Sequence, residues 1–232
     1  MIGTIKKIGL ASGLMLAFTL SAQAAVSVSL DELLQQVKTG RVTDAAANKA
    51  RMDEFRANRA QQSQLHAMPR GYGGVNTNVV GPAVLEVAQR MSAKSVLDYG
   101  AGKGHLGEYL FTHGFVGDYR PYDPAIPIWA ESPQPSELVA CCDVLEHIEP
   151  ECLEAVLQDL QRVTLKAGVF MINLREAKKT LPDGRNAHLI VKPAEWWRER
   201  LAAHFVIRDQ GEVLAKKDGK LLASLFHVEP LP

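Results

Sequence analysis

The fold of this chain is decided by one stretch, Ser95-Val-Leu-Asp-Tyr-Gly-Ala-Gly-Lys-Gly-His-Leu-Gly-Glu-Tyr-Leu-Phe111. Its first five residues indicate a short buried strand, the next five form a loop with three glycines, and the residues from His105 onward begin a helix. A strand, a glycine loop and a helix in this order make up the first unit of a doubly wound sheet. The stretch therefore predicts an α/β fold with a mostly parallel sheet.

The spacing of the glycines narrows the kind of ligand. Gly100, Gly102 and Gly104 give the pattern G-x-G-x-G, whereas the dinucleotide fingerprint is G-x-G-x-x-G. A Walker A loop needs Ser or Thr after its lysine, but Lys103 is followed by glycine. Glycine permits positive φ and a close approach of ligand to backbone, and the helix that follows offers unpaired N–H groups. The loop is therefore predicted to bind a polar ligand that is neither a dinucleotide nor a nucleoside triphosphate.

This glycine pattern, with an acidic residue two places before its first glycine, resembles motif I of class I S-adenosylmethionine-dependent methyltransferases. The resemblance runs from about Pro82 to the C-terminus and extends to phage-type and bacterial members. It implies a Rossmann-like, mostly parallel sheet of the seven-stranded type, S-adenosyl-L-methionine as the cofactor, and methyl transfer as the activity. It also implies that the cofactor contacts Asp98, Gly100, Ala101, Gly102 and Gly104.

Two acidic residues have specific roles under this resemblance. Asp98 is expected at the methionine amino end of the cofactor, and the alternative is that its carboxyl binds the amides of the glycine loop. The segment 117–123 is expected to be the second strand, ending in Asp123, whose two carboxylate oxygens can accept from both ribose hydroxyls. Pro124 follows it directly and is included among the cofactor contacts. The alternative for Asp123 is a turn-forming residue before a proline.

The string Asp143-Val-Leu-Glu-His147 resembles the loop after the family's fourth strand. The resemblance implies that Cys142 and Asp143 line the adenine end and that the loop to His147 faces the reaction chamber. His147 and His188 are candidates for accepting a proton from the methyl acceptor, because imidazole titrates near neutral pH. Each histidine has an equally good interpretation as a local structural residue.

The remaining elements follow from apolar periodicity and from the same resemblance. The interval 124–137 contains four prolines and leaves little room for the family's third strand, which is expected to be missing or irregular. Trp196 and Trp197 are adjacent helical positions that point in different directions, which favours packing over an aromatic cage. The sequence predicts helices over 82–91 and 150–165, a strand over 168–174, and an antiparallel pair over 205–210 and 221–228.

The N-terminal part has a different character. Lys6 and Lys7, an apolar run and Ala22-Gln-Ala24 predict a signal peptide over 1–24, with an uncleaved anchor as the alternative. A helical, coil-like extension is predicted over 25–67, and the rest of the chain, 68–232, forms the domain described above. The extension resembles the periplasmic N-terminus of TonB-associated proton-channel components. It has few large apolar residues, so it is expected either to be solvated or to pair with a partner helix through residues 29–66. The signal predicts export, whereas the supply of the cofactor argues for the cytoplasm.

Composition excludes some functions. Twenty-six basic and 26 acidic residues leave a formal net charge of zero, which gives no support to a nucleic-acid-binding surface. Three cysteines without a C-x-x-C pair predict neither a disulfide framework nor a structural zinc site, and no metal site is expected. No D-P-P-Y or N-P-P-Y string is present, so DNA amino-methylation is not supported.

A small-molecule methyl acceptor is the preferred prediction. A nucleic-acid or protein acceptor remains an alternative, and a basic lid built from Lys178, Lys179 and Arg185 would suit an anionic acceptor. The alternative of another class is an exported binding or structural module whose methyltransferase-like domain no longer catalyses.

Overall fold

A computed structural model describes residues 77–215 and 217–232, together with Ala50 and Asp53, which are both helical. The predicted signal peptide therefore lies outside the described residues, and so does the predicted extension apart from those two positions. Within the described ranges, no helix is long and apolar enough to cross a membrane.

The domain is built around one six-stranded sheet. The strands lie in the order β2-β1-β3-β4-β6-β5; the first four are parallel, and β6 runs antiparallel to both β4 and β5. This arrangement confirms the predicted α/β fold. The strands are β1 (Ser95–Tyr99), β2 (Asp118–Tyr122), β3 (Ser136–Cys142), β4 (Thr164–Asn173), β5 (Phe205–Leu214) and β6 (Leu221–Pro230).

Helices cover both faces of the sheet. This is required because the strand side chains point alternately to the two faces and are apolar on both. One face packs against helices α3 and α4, and the other packs against α1 and α2. Three short 3-10 turns join these elements, at Pro127–Trp129, Leu145–His147 and Pro150–Cys152. The helices are α1 (Thr77–Arg90), α2 (His105–Thr112), α3 (Leu153–Val163) and α4 (Ala194–Ala202).

The first predicted helix was placed too late. It begins at Thr77 rather than at Pro82, so that proline lies inside the helix. Val80 is buried, and a Cβ at Gly81 would lie 2.5 Å from Cδ1 of Tyr109 in α2. The first turn is therefore stabilised by packing against α2, which local propensity does not reveal.

The boundary between α3 and β4 was also wrong. The helix ends at Val163, and the strand begins at Thr164 rather than at Gly168. Leu165 and Lys166, near the start of β4, are exposed, and Lys166 Nζ lies 2.7 Å from Glu137 Oε1. An apolar strand pattern begins only beyond this ion pair, so the sequence pattern located the strand four residues late.

The interval between β2 and β3 contains a 3-10 turn and no strand. Within the described sheet, β2 is consequently an edge strand, and it carries Pro121. Proline is tolerated at an edge because it has no N–H to donate to a further strand. The expectation that the third strand is missing from the proline-rich interval is thus confirmed.

The glycine loop is held by the ends of two other strands. The backbone N–H groups of Gly100 and Ala101 both donate to the carbonyl of Tyr122 at the end of β2, over 2.7 and 3.0 Å. Gly100 has a φ of +87°, and a Cβ there would lie 2.3 Å from Cγ2 of Val144, just after β3. A glycine is required on both grounds, so the loop and the segment after β3 are packed as one unit.

Replacement of Phe170 by alanine tests the core. Phe170 is 0% exposed in the centre of β4, so Phe170→Ala should lower the free energy of unfolding by about 3–5 kcal/mol. Phe111 is 53% exposed, and Phe111→Ala should lower it by about 1 kcal/mol or less. Urea denaturation of both variants measures the difference, and equal losses would contradict the position of Phe170 in the core.

Replacement of Gly100 by alanine tests the loop packing. The matched control is Gly114, which has a φ of +89° but no atom within 4 Å of where a Cβ would lie. Both variants should lose about 1–2 kcal/mol for the left-handed backbone. Gly100→Ala should lose about 1–3 kcal/mol more, because Val144 must move. Equal denaturation midpoints for the two variants would show that Val144 does not constrain the loop.

Candidate functional site

The predicted site residues meet at one edge of the sheet. Strands β2, β1 and β3 are adjacent and parallel, so their carboxyl ends point the same way. The crevice beyond the carboxyl ends of such strands is where doubly wound folds bind ligands. That edge carries the glycine loop after β1, Asp123 after β2, and the segment 143–147 after β3.

Asp123 joins the glycine loop to the turn that follows β2. Its carboxylate is buried and accepts hydrogen bonds from the backbone N–H of Gly102 at 3.0 Å and of Ala125 at 2.9 Å. Its own N–H donates to the carbonyl of Trp129 at 3.0 Å. A carboxylate oxygen can accept more than one hydrogen bond, so a carboxylate in this position is a suitable acceptor for ligand hydroxyls. Pro124 follows it, half-buried at the same edge.

The indole of Trp129 lies against the last glycine of the loop. A Cβ at Gly104, where φ is +74°, would lie 2.9 Å from Cη2 of Trp129. This tryptophan was not selected from the sequence. In the sequence, the only indication of a role for Trp129 is that it is a large aromatic residue within a proline-rich interval. The turn Pro127–Trp129 lies in the interval between β2 and β3, where the third strand was expected to be missing or irregular.

Asp98 is a buried carboxyl at the end of β1. The hydroxyl of Tyr119 donates to its Oδ2 at 2.5 Å. Burial raises the pKa of Asp98 to about 7; the bond from Tyr119 opposes this shift, and the nearby charge of Asp123 adds to it. The sequence left open whether Asp98 binds the amides of the loop. In the structure, the hydrogen bond to the Gly102 amide is made by Asp123 instead.

Cys142 and Asp143 lie where β3 ends. The Cys142 thiol is half-buried, its Sγ is 3.8 Å from the carbonyl oxygen of Val169, and burial raises its pKa. Asp143 has a φ of +55°, which is uncommon for a residue other than glycine, and its Oδ1 accepts a short hydrogen bond from Nδ2 of Asn173. Left-handed backbone of this kind concentrates at functional sites. The three cysteines form no disulfide, as predicted.

The two candidate histidines, 41 positions apart in the chain, are neighbours in the fold. The rings of His147 and His188 lie 4.7 Å apart, centroid to centroid, at an interplanar angle of 80°. His147 is buried and its Nδ1 lies 2.7 Å from the carbonyl oxygen of Ala187; His188 is half-buried and its Nδ1 lies 2.5 Å from that of Arg175. Burial lowers the pKa of His188, which favours the neutral form of this ring.

Glu146 completes this group and was missed as a site residue. It is 0% exposed, its Oε1 accepts from the backbone N–H of Asn173 at 3.0 Å, and its Oε2 has no hydrogen-bond partner. Burial raises its pKa to about 8, and the negative charge of Asp143 adds to the shift. In the sequence, only its position next to His147 points to Glu146. No local pattern predicts that His188, from a distant loop, lies beside these two residues.

The loop that carries His188 is held firmly by polar contacts. Asn186 Oδ1 accepts from the N–H groups of Ala177 at 2.9 Å and His188 at 2.8 Å. Arg185 forms a bidentate pair with Glu149, with both distances 2.8 Å, and also binds Asp183. The guanidinium expected to form part of a basic lid is therefore paired with carboxylates of its own chain.

No family model matches this chain, and no curated protein sequence matches it. Solved structures do match its fold. The chain is similar to 1,6-didemethyltoxoflavin N1-methyltransferase of Burkholderia thailandensis, with TM-score 0.51, 16% identity, and coverage of 83% of this chain and 90% of that one.

Two further structures have the same fold. The N-methyltransferase NodS of Bradyrhizobium japonicum gives a TM-score of 0.51 at 12% identity, over 74% of this chain and 97% of its own. Magnesium protoporphyrin IX methyltransferase of Synechocystis gives 0.50 at 15% identity, over 79% and 99%. All three were crystallised with S-adenosylhomocysteine. At these identities the likeness concerns the fold: the described domain has the Rossmann-like fold of class I S-adenosylmethionine-dependent methyltransferases.

Proposed function

We propose that this chain transfers a methyl group from S-adenosylmethionine to a small-molecule acceptor. The observation that carries the proposal is the arrangement at the carboxyl edge of the sheet: a glycine loop at positive φ, flanked by the buried carboxyls of Asp98 and Asp123. A zero formal net charge and the pairing of Arg185 support a small acceptor over a nucleic acid.

The residues at this edge fit the cofactor. Gly100, Gly102 and Gly104 have positive φ and carry no side chains of their own, so none of them projects a Cβ towards a ligand. Asp98 would hold the methionine amino group, and Asp123 would accept from the ribose hydroxyls. The loop backbone, with Ala101, would contact the methionine portion. Pro124, Cys142 and Asp143 would line the ribose and adenine portions.

The cofactor supplies a methyl group that its sulfonium already activates. The chain must then orient the acceptor and exclude water, which requires rigid walls. Asn186 and the pair Arg185–Glu149 supply such rigidity beside the two histidines. If the acceptor must lose a proton, neutral His188 can accept it at Nε2, because its Nδ1–H donates to the carbonyl of Arg175.

Calorimetric titration with S-adenosylmethionine and S-adenosylhomocysteine tests the proposal. Wild-type protein should bind one equivalent, and Asp123→Ala should weaken binding about 10- to 100-fold through the loss of charge-assisted hydrogen bonds. The matched control is Asp118→Ala, because Asp118 is an exposed acid at the other end of β2. Absence of binding by folded wild-type protein would contradict the enzyme proposal and favour a non-catalytic module. Unchanged affinity in Asp123→Ala would contradict the ribose assignment alone.

Proton release on binding tests the role of Asp98. With a pKa of about 7, this carboxyl is about 90% protonated at pH 6. A cationic ammonium group beside it favours the ionised form, so binding at pH 6 should release close to one proton, and binding at pH 8 far fewer. Binding enthalpies in two buffers of different ionisation enthalpy give the number. Asp98→Asn is the control, and proton release equal to that of wild type would assign the proton to another group.

A further inference from the structure

We propose that Glu146, His147 and His188 bind one divalent transition-metal ion. One potential ligand atom from each of these residues lies within 4.8 Å of those of the other two. Two imidazole nitrogens and one carboxylate oxygen form a donor set that suits ions such as Mn²⁺, Fe²⁺, Co²⁺ and Zn²⁺. The sequence predicts no metal site, because it contains no C-x-x-C pair and the third ligand comes from a loop distant in the chain.

Both histidines make the second-nitrogen hydrogen bond that is typical of metal-binding histidines. A carbonyl oxygen can only accept, so Nδ1 of His147 donates to Ala187 and Nδ1 of His188 donates to Arg175. These bonds select the tautomer in which Nε2 carries the lone pair. Histidines that ligate metals characteristically donate their other N–H in this way, which fixes both ring orientation and tautomer. Asn186 adds a further support, because it holds the backbone N–H of His188.

Glu146 gives an independent indication. Its side chain is fully buried, one oxygen accepts from the Asn173 amide, and Oε2 has no hydrogen-bond partner. An unsatisfied carboxylate oxygen in a buried position is destabilising unless a cation or a donor compensates it. The nearby carboxylate of Asp143 increases the negative potential at this point. A divalent cation bound at Oε2 would stabilise the ionised form of Glu146 and would offset the charge of Asp143.

The ion would lie beside the cofactor loop. The turn Leu145–His147 follows Val144, which is in contact with the position of Gly100. Three protein ligands leave an octahedral ion with open positions that oxygen or nitrogen atoms of another molecule can enter. Taken together with the proposed function, this makes the methyl acceptor a molecule with a metal-binding oxygen or nitrogen atom. The ion would lower the pKa of such an oxygen. Nε2 of His188 would then bind metal rather than accept a proton.

Metal titration of the full chain tests the site. Protein stripped with a chelator is titrated with Co²⁺ and with Mn²⁺, followed by calorimetry and, for Co²⁺, by visible absorption. One ion should bind per chain. His188→Ala and Glu146→Gln should each weaken binding at least about 100-fold, which exceeds the loss of about 10–100-fold typical of an outer-shell partner. The matched control is His113→Ala, because His113 is exposed and its Nδ1 also contacts a carbonyl oxygen, that of Tyr109.

Two measurements keep this test independent of protein folding and of the proposed methyl transfer. His188 is half-buried, so His188→Ala should keep the thermal unfolding midpoint and the affinity of the metal-free protein for S-adenosylhomocysteine. Paramagnetic Mn²⁺ should broaden the imidazole proton resonances of His147 and His188 more strongly than those of His113. Binding of less than about one-tenth of an equivalent by folded wild-type protein, or equal affinity in wild type and His188→Ala, would overturn the metal site. Neither result would bear on cofactor binding.

Discussion

The contact between Gly100 and Val144 determines how this domain assembles its ligand-binding edge. Because no Cβ fits at position 100, the loop after β1 lies directly against the segment after β3. The same loop is held on its other side by the carbonyl of Tyr122 and by the carboxylate of Asp123, both at the end of β2. The ends of three parallel strands are thereby packed into one surface, and a displacement of any of them moves the others.

That surface brings four carboxyl groups close together. Asp98 and Asp123 lie on the glycine-loop side, and Asp143 and Glu146 lie beyond β3. Burial raises the pKa values of Asp98 and Glu146, and the nearby charges of Asp123 and Asp143, respectively, add to these two shifts. An arrangement of this kind is destabilising in the free protein and is relieved by cationic ligands. The sulfonium and ammonium groups of S-adenosylmethionine and a divalent metal ion are all cationic. In the proposed complex they would lie close to one another.

Local sequence patterns were sufficient to predict the central strands and the glycine loop. The apolar runs at β1 and β3 and the glycine loop were located from the sequence because their physical causes are local: burial on both faces, and backbone conformations that only glycine adopts easily. The prolines of the interval 124–137 likewise indicated the missing strand, since they cannot donate to a sheet. Boundaries failed where a contact from elsewhere decided them. Tyr109 packs against Gly81 and extends α1 towards its N-terminus, and the ion pair between Lys166 and Glu137 lies in the exposed first part of β4.

The sequence by itself determined the class of fold and the loop Asp98–Gly104, because strand, loop and helix follow one another in the chain and their spacing is fixed by local geometry. The tertiary structure alone decided which carboxyl binds the loop amide, where Trp129 lies, and that Glu146, His147 and His188 form one cluster. Such relations depend on how strands are ordered in the sheet and on how the loop after β4 folds back over the end of β3. Residues 41 positions apart, such as the two histidines, come together only through that long-range packing.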